Sequence, residues 1–155
     1  MVYGTTVPPS NLPVSQWIDV ASHQYLGHWV PEEGAAVARL LQELLGKGAK
    51  DIFLISPFRS VVQNLYSFSR NSKVVRTGTV HTIQGKEADI VILVLGGHPD
   101  KPGAKRWVSS KPNLLNVAVS RAKSRLYIIG NKQLWGPHPH IKEILEILDD
   151  NVSLV

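Results

Sequence analysis

The sequence predicts an α/β fold built on a mainly parallel sheet with helices on both faces. Residues 51–56, 90–95 and 126–129 are short, nearly unbroken apolar runs rich in β-branched residues. Strands buried on both faces read this way, and such strands belong to parallel sheets. Segments with Leu and Val at helical spacing lie between these runs, and strand-like and helix-like stretches alternate along the chain,.

Composition sets the outer limits. At 155 residues the chain is the size of one ordinary domain, large enough to bury about 70% of its unfolded surface. Hydrophobic residues at 43% and charged ones at 19% belong to a globular chain and not a disordered one,. The absence of cysteine excludes disulfides and thiolate metal sites and fits an intracellular location, cytoplasmic or nucleoid,. No apolar run approaches the roughly 18 residues of a membrane span. Met1-Val-Tyr-Gly lacks the basic start and apolar stretch of a signal peptide, so no membrane partner is expected,. The formal charge of +5 attracts polyanions only modestly, and a surface with surplus lysine explains it equally well,.

Element by element, residues 1–14 are rich in Pro, Ser and Thr without periodicity and read as a flexible arm or linker, which leaves 15–150 as the domain,. Trp17-Ile-Asp-Val-Ala21 is a short β-prone run. Pro31-Glu-Glu opens a helix, with proline tolerated in the first turn and acids near the positive end of the dipole. Val37, Leu40, Leu41, Leu44 and Leu45 form its apolar stripe, and Gly46 is the expected stop,. The strand 51–56 ends at Pro57, and a helix with Val61, Val62, Leu65 and Phe68 inward follows. Residues 96–111, carrying Gly, Pro and several charges, read as a long exposed loop, with a helix at 113–122 after it,. Ile141, Ile144, Leu145 and Leu148 mark a final amphipathic helix.

Certain chemistry is missing. A nucleotide-hydrolysing P-loop needs Gly-Lys followed by Ser or Thr. Here Gly46-Lys47 is followed by Gly48 and Gly85-Lys86 by Glu87. Paired carboxylates after an apolar strand, as a magnesium-holding Asp-Glu motif requires, are also lacking. The isolated chain is therefore expected not to hydrolyse ATP. Pro137-His-Pro-His140 offers two histidines without a third ligand and reads as a surface turn, so no metal is assigned. Lys101, Lys105, Arg106 and Lys111 surround Trp107; a nucleic-acid-binding loop and a solvated loop are both open readings. Trp17, Trp29 and Trp135 read as packing residues.

Two segments gather the remaining polar groups beside apolar runs. In Gly78-Thr-Val-His-Thr-Ile-Gln-Gly-Lys-Glu-Ala-Asp89, Gly85 makes backbone amides approachable by an anion. His81, Thr82 and Gln84 offer hydrogen bonds, and Glu87 is an acceptor suited to a ribose hydroxyl. The plainer alternative is a strand, a turn and a strand with solvated side chains. In Asn116-Val-Ala-Val-Ser-Arg-Ala-Lys123, Arg121 ends an apolar helix, where a guanidinium can neutralise a transferring phosphoryl group. An arginine favoured there only by the helix dipole is the alternative.

These segments resemble motifs V and VI of superfamily 1 helicases, and Ile55-Ser-Pro-Phe-Arg59 is similar to motif IV. Trp17-Ile-Asp-Val followed by Glu32-Glu33 is similar to the strand and acid-headed helix that open the second domain of these proteins. The resemblance covers about 15–135 and is closest to the branch with the RNA-decay helicases and the replication nuclease-helicases. It implies a second RecA-like domain, a three-layer sandwich, in a motor that binds ATP and Mg2+ between two such domains and moves on single-stranded DNA or RNA. The first RecA-like domain, with the P-loop and most of the Mg2+ ligands, would precede residue 1 in the same protein. By position, Arg121 would be the arginine finger. Glu87, with Gln84, Gly85 and Arg59, would serve the nucleotide. His81, Thr82, Ser56 and Pro57 would lie along the nucleic acid. DNA repair or RNA metabolism is the implied setting. A non-catalytic RecA-like module that binds nucleic acid or protein is the rival expectation.

Overall fold

The computed structural model describes residues 11–83, 86–97 and 119–135, together with positions 141, 142, 144, 146 and 148; the side chains of His81 and Ile83 are excepted. Five strands form one all-parallel sheet: β1 (Gln16–Asp19), β2 (Ile52–Ser56), β3 (Val75–Thr79), β4 (Ala88–Val94) and β5 (Ala122–Gly130). Their order across the sheet is β1-β5-β4-β2-β3. The expected α/β architecture is the observed one. The central strands are the apolar runs of the sequence, and the shorter β1 and β3 take the edges.

Alternate residues of the central strands divide between two cores, as the two-residue period of a strand requires. On one face, Ile52, Leu54, Ile90, Ile92 and Ile129 pack under helices α1 (Pro31–Gly46) and α2 (Arg59–Ser69). On the other, Phe53, Ile55, Val91, Leu93 and Ile128 meet Trp135 of the short helix α3 (Lys132–Trp135) and the helical residues Ile141, Ile144 and Leu148. Helices on both faces of one sheet make the three layers. Trp17 and Trp135 are buried and Trp29 packs against the core, as their sequence reading anticipated. Leu145 and the segments 98–118 and 136–140 lie outside the described residues, and with them Asn116, the basic loop around Trp107 and the Pro-His pair.

Helix α2 is rich in Ser and Val and has no side-chain cap at Phe58, so propensity alone would not form it. Full burial of Val61, Val62 and Leu65 stabilises it, at about 2 kcal/mol each relative to exposure. In α1 the apolar stripe is Val37, Leu40, Leu41 and Leu44, while Leu45 is 44% exposed because it falls one residue beyond the sheet-facing arc. The helix runs through Gly46. Its terminator is Gly48, at φ 89°, with Ala49 N–H bonding Leu44 O at 3.0 Å and Gly48 N–H bonding Leu45 O at 3.1 Å. This is the left-handed closure that glycine accepts without strain.

The simple alternation of strand and helix breaks between β3 and β4. The chain must leave the carboxyl end of β3, pass β2 and begin β4 at the opposite edge with only residues 80–87 to do so. Eight residues span at most about 28 Å, little more than the strand length to be recrossed, so no ordinary helix fits. A 3-10 turn over Val80–Ile83 starts the crossing, with Val80 fully buried beside Phe53. The expected helix 113–122 also ends earlier: Val119 and Ser120 are helical, Arg121 is a turn residue and Ala122 opens β5. Of the expected arm, residues 11–14 are fastened to the domain. Leu12 is buried, and Pro13 O accepts hydrogen bonds from Tyr127 Oη and, at 3.1 Å, from Arg125 Nε.

Candidate functional site at two edges of the sheet

Parallel strands give the sheet an amino edge and a carboxyl edge, and the candidate residues divide between them. At the amino edge Ala88 and Ala122 are register partners, so Glu87 and Arg121, each one residue earlier, stand side by side. Ala88 N–H donates to Arg121 O at 3.1 Å. A β-bulge follows, where the register passes from Ala88–Ala122 to Ile90–Arg125; bulges of this kind re-aim side chains beside functional sites. Arg121 is partly buried, and its Nε is buried with no hydrogen-bond partner among the described residues. The Glu87 carboxylate projects outward, with Lys123 Nζ 3.8 Å from its Oε2 and both side chains more than half exposed. Such a pair stabilises the fold little.

Two residues with no signal in the sequence complete this edge. Arg76 Nη2 donates to Asp51 Oδ1 at 3.0 Å and to the Glu87 carbonyl at 3.1 Å, and its guanidinium lies 4.7 Å from the Phe53 ring centre. Asp51 Oδ2 accepts the Asp89 amide at 3.2 Å. Burial pushes the Asp89 carboxyl above its ordinary range, the neighbouring Asp51 charge adds to this, and Lys123 opposes it. Among the described residues no group of three or more His, Asp and Glu is arranged to hold a metal ion.

The carboxyl edge carries the motif-IV-like stretch. Ser56 is fully buried, and its hydroxyl accepts the Phe58 amide at 3.2 Å and so shapes the turn. Pro57 and Phe58 are partly exposed and Arg59 is exposed at the start of α2. Phe58 stacks on His28, with ring centres 3.9 Å apart and planes within 5° of parallel, and tilts against Trp135 at 6.3 Å. Arg59 therefore stands a strand's length, on the order of 17 Å of backbone, from Glu87 and Arg121. This placement sets Arg59 at the opposite edge of the sheet from the two residues with which it is expected to serve the nucleotide.

The connection 80–87 joins the two edges. Thr82 is exposed; its hydroxyl donates to Thr79 O at 2.7 Å, and its amide bonds Thr79 Oγ1 at 3.3 Å. The turn lies directly over Gly78, where an added Cβ would sit 2.2 Å from Thr82 Oγ1. Gln84 and Gly85 lie outside the described residues, and His81 is placed in the turn by its backbone alone.

One acid the sequence assigned to the helix dipole does something else. Glu33 is fully buried, and its Oε1 accepts the Gly96 amide at 2.8 Å while Oε2 has no partner among the described residues. Burial pushes its carboxyl up to about 8, the Gly96 bond opposes this and the Glu32 charge adds to it. Gly96 adopts φ 63°, and an added Cβ would meet His28 O at 2.4 Å. Trp135 Nε1 donates to Gly96 O at 2.9 Å. Glu33, Gly96 and Trp135 thus lock the end of β4 to α1 and α3.

Comparison with known proteins decides the family. A protein-family model described as an AAA domain matches residues 16–133. The chain belongs to this family. Among its relatives, a probable helicase of Dictyostelium discoideum is 30% identical over 107 residues, covering 69% of this chain and 11% of that protein. A regulator of nonsense transcripts 1 homolog of Neurospora crassa is 30% identical over 133 residues, 79% of this chain and 12% of the relative. A DNA replication ATP-dependent helicase/nuclease of Arabidopsis thaliana is 29% identical over 133 residues, 81% and 10%. This AAA domain is therefore a domain of the superfamily 1 helicase kind, and it spans about a tenth of the length of the curated relatives it matches. No helix among its described residues is long and apolar enough to cross a membrane.

Proposed function

We propose that this AAA domain is the second, C-terminal motor domain of an ATP-dependent helicase, completing a nucleotide site at its amino edge and gripping single-stranded DNA or RNA at its carboxyl edge. The observation that carries the reading is the register pair Ala88–Ala122, which sets Glu87 and Arg121 side by side just before β4 and β5. An exposed carboxylate suits sugar hydroxyls. Beside it, a partly buried guanidinium whose Nε has no partner among the described residues suits an anionic oxygen, which it binds as a planar, permanently charged donor.

Bound ATP with Mg2+ supplies the transferable phosphoryl group, and the catalytic part of this chain is charge stabilisation by Arg121. A first RecA-like domain of the same protein would bring the P-loop and hold Mg2+. At the opposite edge, Pro57 and Phe58 offer an apolar surface and Arg59 a phosphate contact. Gln84, Gly85, His81 and Thr82 lie on the connection between the edges, where nucleotide state and strand grip would be coupled.

The test is ATP turnover by the full-length protein, with and without single-stranded nucleic acid, beside its Arg121→Ala form. Strand-stimulated turnover that collapses in the variant while ATP still binds is the expected result. Absent turnover in the parent, or turnover retained by the variant, makes this AAA domain a non-catalytic module that binds nucleic acid or protein.

A further inference from the structure

We infer that Arg76, held by Asp51, is a positioning residue for Glu87, fixing the backbone from which that carboxylate reaches the hydroxyls of a nucleoside sugar. The inference rests on the nucleotide reading of Glu87 given above. One amino group of Arg76 bridges two acceptors, Asp51 Oδ1 at 3.0 Å and Glu87 O at 3.1 Å. The other oxygen of Asp51 accepts the amide of Asp89 at 3.2 Å. Residues 87 and 89 are therefore both tied to one carboxylate at the start of β2, while Ala88 between them is tied to Arg121 O at 3.1 Å.

Glu87 needs such a hold because it stands just before the first ladder pair of β4, Ala88 with Ala122. Among the described residues the ladder with β5 begins at Ala88, and the Glu87 carbonyl is held by Arg76. A carboxylate that must meet two adjacent hydroxyls is sensitive to displacements of an ångström at its root. Arg76 is itself oriented: Phe53 lies 4.7 Å beneath its guanidinium, so the side chain enters along the sheet face instead of sweeping through solvent,. Lysine keeps the charge but lacks the planar guanidinium that lies over Phe53, so its ammonium is less firmly oriented toward the two acceptors,. The Arg76–Asp51 pair is substantially exposed, at 47% and 33%, and exposed pairs contribute little to stability. The clamp thus matters for where Glu87 stands more than for whether the domain folds.

The experiment compares KM for ATP with KM for 2′,3′-dideoxy-ATP in the full-length protein and its Glu87→Ala, Arg76→Met and Arg76→Lys forms. Glu87→Ala is expected to raise KM for ATP by about tenfold, the value of one hydrogen bond to a charged group, and to leave the dideoxy nucleotide unaffected. Arg76→Met is expected to show the same selective rise, smaller in size, and to add nothing when combined with Glu87→Ala. Arg76→Lys, which keeps the charge on Asp51, is expected to show a weaker version and serves if the methionine form does not fold. If Glu87→Ala discriminates between the nucleotides and neither Arg76 variant does, the positioning role falls while the nucleotide reading stands. An equal rise for both nucleotides in the Arg76 variants makes the clamp merely structural and also overturns the inference. If Glu87→Ala itself treats both nucleotides alike, the nucleotide reading falls and takes the inference with it.

Discussion

Ala88 and Arg121 share a backbone hydrogen bond of 3.1 Å that closes the amino edge of the sheet between β4 and β5. Through it the segment carrying Glu87 and the turn carrying Arg121 are joined, although they lie 34 positions apart in the chain. A ligand that meets both side chains would meet groups whose spacing is set by sheet geometry and not by loop conformation.

Arg121→Ala is expected to lower strand-stimulated ATP turnover of the full-length protein by about 10³–10⁵, the range for loss of an arginine finger. Stability should change little, because the Nε it removes has no partner among the described residues. Turnover assays and a thermal melt check the two halves.

Arg59 and Glu87 stand at opposite edges, and their substitutions are expected to separate. Arg59→Ala should raise the concentration of single strand needed for half-maximal stimulation and reduce the salt slope of binding by about one, with KM for ATP unchanged. Glu87→Ala should do the reverse. Equal effects of Arg59→Ala on both ligands would return Arg59 to the nucleotide.

Glu33 sets a pH dependence of stability. Its folded value of about 8 lies above the ordinary 4.5, so the folded state favours the protonated form. That stabilisation is fully present below about pH 4.5 and is lost as pH rises through about 8. Glu33→Gln, neutral at every pH, is expected to flatten this slope and to be the more stable protein at pH 8.5, by on the order of a few kcal/mol. Denaturant midpoints at pH 5.5, 7 and 8.5 measure it. A parallel pH dependence in both proteins would refute the assignment.

Gly78 is expected to resist substitution because of space and not because of backbone conformation. An alanine Cβ there would fall 2.2 Å from Thr82 Oγ1 and 3.3 Å from Phe53 Cε1, an overpacking cost of about 1–3 kcal/mol. Adding Thr82→Ala removes the nearer obstacle and should recover much of the loss, a coupling that a double-mutant cycle reads directly.

Much of this architecture was legible because apolar pattern is local. The runs at 51–56, 90–95 and 126–129 became the three central strands, and their lack of alternation foretold burial on both faces,. The stripes of α1 and α2 were readable for the same reason. Strand β3 was hard to see, since Arg76, Thr77 and Thr79 give an edge strand little apolar signal. Leu12 gave no sign in a Pro-rich segment that it would join the core. Gly46 was the expected stop of α1, and only the positive φ of Gly48 shows that the closure falls two residues later.

The amino-acid order alone determined the fold class, the identity of the central strands and the presence of Glu87 and Arg121 beside strand starts, because each follows from short-range pattern and residue chemistry. The tertiary structure decided which of these groups meet. Strand order and parallel register, products of long-range packing, placed Glu87 with Arg121, sent Arg59 to the far edge and closed Ser56 into the interior. They also brought Asp51, Arg76 and Glu87 together from three strand starts that are distant in sequence. A carboxylate's role depends on its neighbours in space, and for Glu33, buried beneath the end of β4, only packing could supply them.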